Sequence, residues 1–235
     1  MVQTISRRMF LVLGGCALVT PSISLSVEVP SLLDHILLGC SDLGRGIEFV
    51  EEGTGAHAAF GGVHPGAGTQ NALLSLGDRR YLEIIALDPA QPEADDLRRL
   101  KTLSEPRLIG WAAHVADIQA LATRLAQSGV ATAGPTPGSR KRPDGRVLRW
   151  SVLSLKDDGQ GSLPFFIEWS ADSLHPSSDS PKGCSLVRFD ATTPDPDALS
   201  IKAELLGLDF RVTHGDKPQL RATVAGPKGQ LNLSS

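Results

Sequence analysis

The chain has 235 residues, of which 41% are hydrophobic, with 23 Lys and Arg against 26 Asp and Glu and a formal net charge of −3. This is the composition of an ordinary globular protein of one large domain or two small ones. The charge balance offers no electrostatic footprint for a phosphate backbone, so no nucleic-acid partner is expected.

The chain opens with Ser6, Arg7, Arg8, Met9, Phe10 and Leu11 and an apolar run over residues 9–19. This pairing resembles a twin-arginine export signal. The run is roughly half of the ~20 residues that span a bilayer, and it continues into the small and polar residues 20–26, which suits cleavage. Residues 1–29 are therefore read as a signal. The expected address is periplasmic or otherwise exported, with the twin-arginine translocation machinery as partner and no membrane span after processing. Leu13, Gly14, Gly15 and Cys16 also resemble a lipoprotein box that would acylate Cys16, and a short anchor helix is a further alternative.

Beyond it, a weak repeat organises the chain: an apolar strand ending near an aspartate, a helix, then further strands, in three copies. The first copy opens at Leu32 to Leu43, with strands expected over residues 56–63, 71–76 and 80–87 and a hairpin turn at Gly77 and Asp78. A surface helix is expected over residues 92–103. The second copy opens at Ile109 to Ile118, continues as a helix over residues 118–127, and supplies strands over 147–155 and 163–169. The basic run 140–146 reads as a solvated hairpin tip, with attraction of an anionic substrate as the alternative, and residues 173–183, rich in Ser, Pro and Gly, as a linker. The third copy opens at Leu186 to Ala191, with a helix over 198–206 and strands over 208–213, 220–224 and 230–233. Asp42 and Asp117 stand where helix N-caps belong, Pro194 and Asp195 mark a third helix start, and Gly129 and Gly207 are stops. Spacing leaves open whether Cys40 and Cys184 pair or remain buried thiols.

Period-two alternation places Leu33, His35 and Leu37 on one strand face, Tyr81, Glu83 and Ile85 on another, and Phe166 with Glu168 on a third. Carboxylates among apolar neighbours are costly to bury without a compensating charge. A metal cation would supply it, as would ion pairs from Arg80, Arg146 or Arg149. Residues 64–71 combine permissive glycines with His64, Thr69 and Asn71, side chains able to hydrogen-bond a ligand at a cavity mouth or to satisfy a turn. His57, His175 and His214 show no metal-ligand spacing and read as surface or loop residues, and the role of His114 is open. No nucleophile elbow, zinc-protease helix, phosphate loop or activated cysteine is present, which argues against hydrolase, metalloprotease, nucleotide-dependent and thiol chemistry.

The run from Gly62 to Asp78, followed by Tyr81 to Ile85, resembles the glyoxalase-like domain family of the vicinal oxygen chelate superfamily. Asp34 and His35, then Phe165 to Trp169, and then Pro194 to Leu199 extend the resemblance along the chain. It implies an α+β fold in which tandem βαβββ modules form a curved mixed sheet around a cavity over residues 30–172, with a C-terminal half-module at 184–235. By the same resemblance His35, Glu83 and Glu168 are the expected ligands of a divalent metal (Mn, Fe, Zn or Ni), and Glu83, Glu168 and His64 the expected catalytic groups. Gly110 stands where the superfamily's four-ligand pattern has a further ligand, so water or His64 would complete the shell. Thr69, Asn71, Tyr81, Trp111, Trp150 and Phe166 are the expected substrate contacts. The expected activity is that of a metal-dependent lyase, isomerase or dioxygenase acting on a small oxygen-bearing molecule. The alternative is a non-catalytic binding or sequestering protein of the same fold.

Overall fold

The computed structural model describes residues 28–92 and 95–235. The stretch read as an export signal, with Arg7, Arg8 and Cys16, lies outside the described residues.

The first module runs β1 (Leu33–Gly39), α1 (Leu43–Thr54), β2 (Ala59–His64), β3 (Thr69–Ser75) and β4 (Tyr81–Leu87). The second runs β5 (Arg107–His114), α2 (Ile118–Gln127), β6 (Thr132–Lys141), β7 (Val147–Leu155) and β8 (Phe165–Trp169). The expected caps are in place: Asp42 accepts from Arg45 N and Asp117 from Ala120 N, each meeting one of the free donors at a helix start. A 3₁₀ helix at Asp95–Thr102 stands where a surface helix was expected.

Strand β6 was not expected. Gly134, Pro135, Pro137 and Gly138 give its stretch a loop-like composition, yet it pairs with β7 from Thr132↔Leu155 to Lys141↔Val147 across an irregularity between Ala133 and Thr136. Pro is tolerated on an edge strand at positions whose N–H is not needed, and β6 is an edge in the sheet order β2-β3-β4-β1-β5-β8-β7-β6.

The two modules meet at the centre, where β1 runs antiparallel to β5, and each closes with its last strand parallel to its first. The sheet curls until its two edges approach. At Gly62 an added Cβ would stand 2.8 Å from the carbonyl oxygen of Lys141, so the closure leaves no room for a side chain there.

The third unit, β9 (Ser185–Thr193), α3 (Pro196–Leu206), β10 (Arg211–His214), β11 (Gln219–Gly226) and β12 (Gly229–Ser234), forms its own sheet in the order β10-β9-β11-β12. It repeats the elements but not the pairing, because the strand after its helix returns parallel to the first. Its apolar face joins the hydrophobic core behind the large sheet. There Trp111 from β5 packs on Phe189 and Phe210, each ring 5.2 Å away, and donates Nε1–H to Ser162 O at 2.9 Å. The stretch read as a linker is engaged throughout: Ser75 N donates to Pro181 O at 2.9 Å, and Asp179 pairs with Arg142 and Arg146. Cys40 and Cys184 are free, buried thiols.

Candidate active site

A cavity of about 200 Å³ opens on the face of the large sheet opposite the shared core, lined by His35, His64, Asn71, Tyr81, Glu83 and Arg140 on its polar side. Its apolar wall is Phe165, Ile167 and Trp169 of β8 with Trp150 of β7 and Ile85 of β4.

The site begins with a kink. Between Leu33↔Ala113 and His35↔Ala112 the β1–β5 ladder loses register, so Asp34 is an extra residue in β1. Such a bulge re-aims a side chain. Asp34 accepts from His35 Nδ1 at 2.7 Å, Trp169 Nε1 at 3.1 Å and His175 Nε2 at 3.1 Å. Burial raises the pKa of this carboxyl, but hydrogen bonds from His175 and His35 outweigh it and hold it well below the usual carboxylate range. The same bulge breaks the alternation expected for β1, so Leu33 joins the core rather than the face of His35.

With Nδ1 committed to Asp34, His35 turns Nε2 toward Glu83 Oε2 at 3.4 Å and stacks on Tyr81 at 4.5 Å between ring centroids. The other oxygen of Glu83 accepts from Asn71 Nδ2 at 2.6 Å. The orientation of the Asn71 amide follows from Arg140, whose Nη1 donates to Asn71 Oδ1. A guanidinium has only donors, so Asn71 must offer it oxygen and turn its NH₂ to Glu83 and to His64 Nε2, 3.3 Å away. His64 Nε2 therefore accepts, and its Nδ1–H donates to Thr69 Oγ1 at 2.8 Å. Burial pushes the pKa of His64 down against the pull of Glu83, in keeping with a neutral ring. Burial also raises the pKa of Glu83, but His35, Arg140 and the hydrogen bond from Asn71 together bring it below its ordinary value, so the carboxylate is ionised at neutral pH.

Of the residues expected from the sequence, His35, Glu83, His64, Asn71, Tyr81 and Trp150 line one cavity, and Thr69 stands behind His64. Three do not. Glu168 lies on the other face of β8, where Oε2 accepts from Ile118 N at 2.8 Å at the start of α2, so it is neither a metal ligand nor a catalytic group of this cavity. Phe166 and Trp111 are fully buried in the shared core, and Phe165 takes the place at the cavity expected for Phe166. Arg146 and Arg149 pair with Asp144, Asp179 and Asp172, not with the glutamates.

The sequence reading placed Arg140 in a solvated tip first and in an anion-attracting loop only second, yet it is 3% exposed, and it missed His175, taken for a surface or loop residue but only 7% exposed. For Arg140 a signal existed. Arg140 and Arg142 alternate with Lys141 at the period of a strand, and Arg140 is buried while Lys141 is exposed.

The ligand set implied by the resemblance is not assembled. Glu168 is absent from it, and the Asn71 amide nitrogen, oriented by Arg140, contacts both Glu83 Oε1 and His64 Nε2. Among the described residues no group of three or more His, Cys, Asp and Glu side chains is placed to hold a metal ion. The charge compensation that burial of Glu83 requires is supplied by protein donors.

A family model described as a glyoxalase-like domain matches residues 33–206, most of the chain. The chain belongs to the glyoxalase-like domain family. Among solved structures, this family member resembles a hypothetical protein from Staphylococcus aureus, with 16% identity over 86% of this chain and 84% of that one and a TM-score of 0.58. It also matches methylmalonyl-CoA epimerase from Mycobacterium tuberculosis, with 21% identity over 62% of this chain and 91% of that one and a TM-score of 0.45. None of the curated proteins compared with it matches the chain. At such identities the likeness concerns the fold alone, the paired βαβββ modules.

Proposed function

We propose that this glyoxalase-like cavity transfers a proton on a small oxygen-bearing molecule, with Glu83 as the proton acceptor. The observation that carries the reading is a buried, ionised carboxylate at the cavity wall, fixed by Asn71 and facing His35, with a guanidinium in the same cavity. Glu83 takes the hydrogen from the carbon beside a carbonyl, and the C–H electron pair moves into the carbonyl to give an enolate. Arg140 meets the developing negative charge. Return of a proton from Glu83 to the same carbon restores the molecule with its α-hydrogen exchanged against solvent and no redox change, and His35, held by Asp34, keeps the carboxylate oriented. No step is routed through a metal, since Asn71 and Arg140 occupy that electrostatic role. The second reading is a non-catalytic binder, favoured by the aromatic wall in which Trp150 and Trp169 lie 5.5 Å apart.

Proton NMR in D₂O on a panel of small ketones and 2-oxo acids tests the proposal. Loss of the α-proton signal above the buffer rate is expected, unaffected by chelator and reduced roughly 10²–10⁴-fold in Glu83→Gln. Binding without exchange would leave the binder, and exchange abolished by chelator would replace the proposal with a metal-dependent enzyme. We also infer export, on the strength of Arg7, Arg8 and the apolar run after them. Replacement of both arginines by lysine should hold the precursor in the cytoplasm, and unchanged periplasmic recovery would reject it.

A further inference from the structure

Arg140 is an unusual lining residue. It is 3% exposed, its Nη1 donates to a neutral amide oxygen of Asn71, and its Nε has no partner among the described residues. An ionic donor left unmatched inside a protein is costly. Here the surroundings are shaped to hold it. At Gly61 an added Cβ would stand 2.5 Å from Asn71 Oδ1 and 2.9 Å from Arg140 Nη1, and at Gly62 it would meet the Arg140 stem at 3.2 Å. The two glycines of β2 thus leave a slot through which a side chain of the second module reaches the first. Both oxygens of Glu83 already face other groups, Asn71 and His64 on one side and His35 on the other. The charge of Arg140 therefore lacks a hydrogen-bonded anion of its own.

We propose that Arg140 forms a carboxylate subsite, so that the molecules this cavity takes are small planar monocarboxylates, their charged end on the guanidinium and their body against Trp150, Trp169 and Phe165. With Nη1 on Asn71 and Nε enclosed, a carboxylate would meet the guanidinium through a charge-assisted hydrogen bond, stronger than one to a neutral group. The single arginine and the flat aromatic wall favour that planar anion over a tetrahedral phosphate. The subsite names the substrate class for the proton-transfer reading and rests on the same cavity, but it is tested by binding alone.

The probes are benzoate, the neutral isostere benzamide, and inorganic phosphate, titrated against the purified chain by calorimetry and by Trp fluorescence. Benzoate is expected to bind roughly ten- to a hundredfold more tightly than benzamide. Arg140→Gln should erase that preference and Arg140→Lys restore part of it. Gly61→Ala, which keeps the charge but crowds the guanidinium, should weaken benzoate selectively, whereas Arg149→Gln on exposed β7 should change nothing. Equal binding of benzoate and benzamide by the unaltered chain, or phosphate binding as tight as benzoate, would overturn the assignment without reliance on any variant folding. Benzoate binding in a chain that exchanges no α-protons supports the subsite and counts only against the proton-transfer reading.

Discussion

Glu83 and Glu168 occupy corresponding last strands of two modules built alike, and they do opposite work. On β4 the alternating set Tyr81, Glu83 and Ile85 faces the cavity, and on β8 the facing set is Phe165, Ile167 and Trp169. One residue of phase therefore sends Glu168 to the far face, where the backbone N–H of Ile118 takes its carboxylate. Trp111 follows the same division, its ring lodged in the core with Phe189 and Phe210. Module one thus supplies most of the polar groups of the site. Module two supplies an aromatic wall and Arg140, and it turns its other prominent side chains outward to seat the C-terminal unit. Near-symmetry of backbone does not carry symmetry of chemistry, because a side chain's role depends on which of two faces it meets.

The sharpest way to break this comparison is at Trp111. Trp111→Ala should cost about 3–5 kcal/mol in denaturant unfolding, as large core truncations do, while the folded protein keeps its cavity. A small effect would mean that the core shared with the third unit contributes little.

Glu83→Gln comes next. It converts an ionic hydrogen bond from Asn71 into a neutral one and leaves Arg140 without a nearby anion, for an expected loss of roughly 1.5–3 kcal/mol. The pH dependence of the unaltered protein should carry the same signature. The pKa of Glu83 and of Asp34 is depressed in the folded state, so their contribution is present above the usual carboxylate range and lost as pH falls through it. His64 adds in the same direction: its folded pKa lies below the ordinary 6.5, so the unfolded chain binds a proton first and stability already declines as pH drops below about 6.5. Thermal melts should hold from pH 8 to about 6.5 and fall from there to pH 3, and Glu83→Gln should flatten the carboxylate part of the curve.

Smallest is Glu168→Gln. The amide oxygen can still accept from Ile118, so only the charge at the start of α2 is lost, about 0.3–1 kcal/mol. Ligand binding and proton exchange should match the unaltered chain. A loss of either would restore Glu168 to the site.

Much of this was legible in the amino-acid order. The three-fold repeat, the caps Asp42 and Asp117 and the pairing of Tyr81 with Glu83 on one face follow from periodicity and local backbone chemistry, while the place of His64 at the cavity came from the family resemblance. So did the shared face of Phe166 and Glu168, but not its direction, because apolar residues crowd both sides of a sheet that has a core behind it and a cavity before it. The bulge at Asp34 was hidden for a similar reason: an extra residue in a ladder shows only against its partner strand. Arg140 was hidden by composition, since β6 carries glycines and prolines that are tolerable only at the edge where tertiary folding puts it.

Sequence alone determined the modules, because helix caps, stops and alternation are set by neighbours a few residues away. The tertiary structure decided which carboxylate faces the cavity and which groups neutralise it. Those outcomes depend on contacts such as Arg140 with Asn71 and His175 with Asp34, which join residues 69 and 141 positions apart. Burial makes such contacts consequential, since a charge stripped of water takes its properties from whichever groups the fold brings against it.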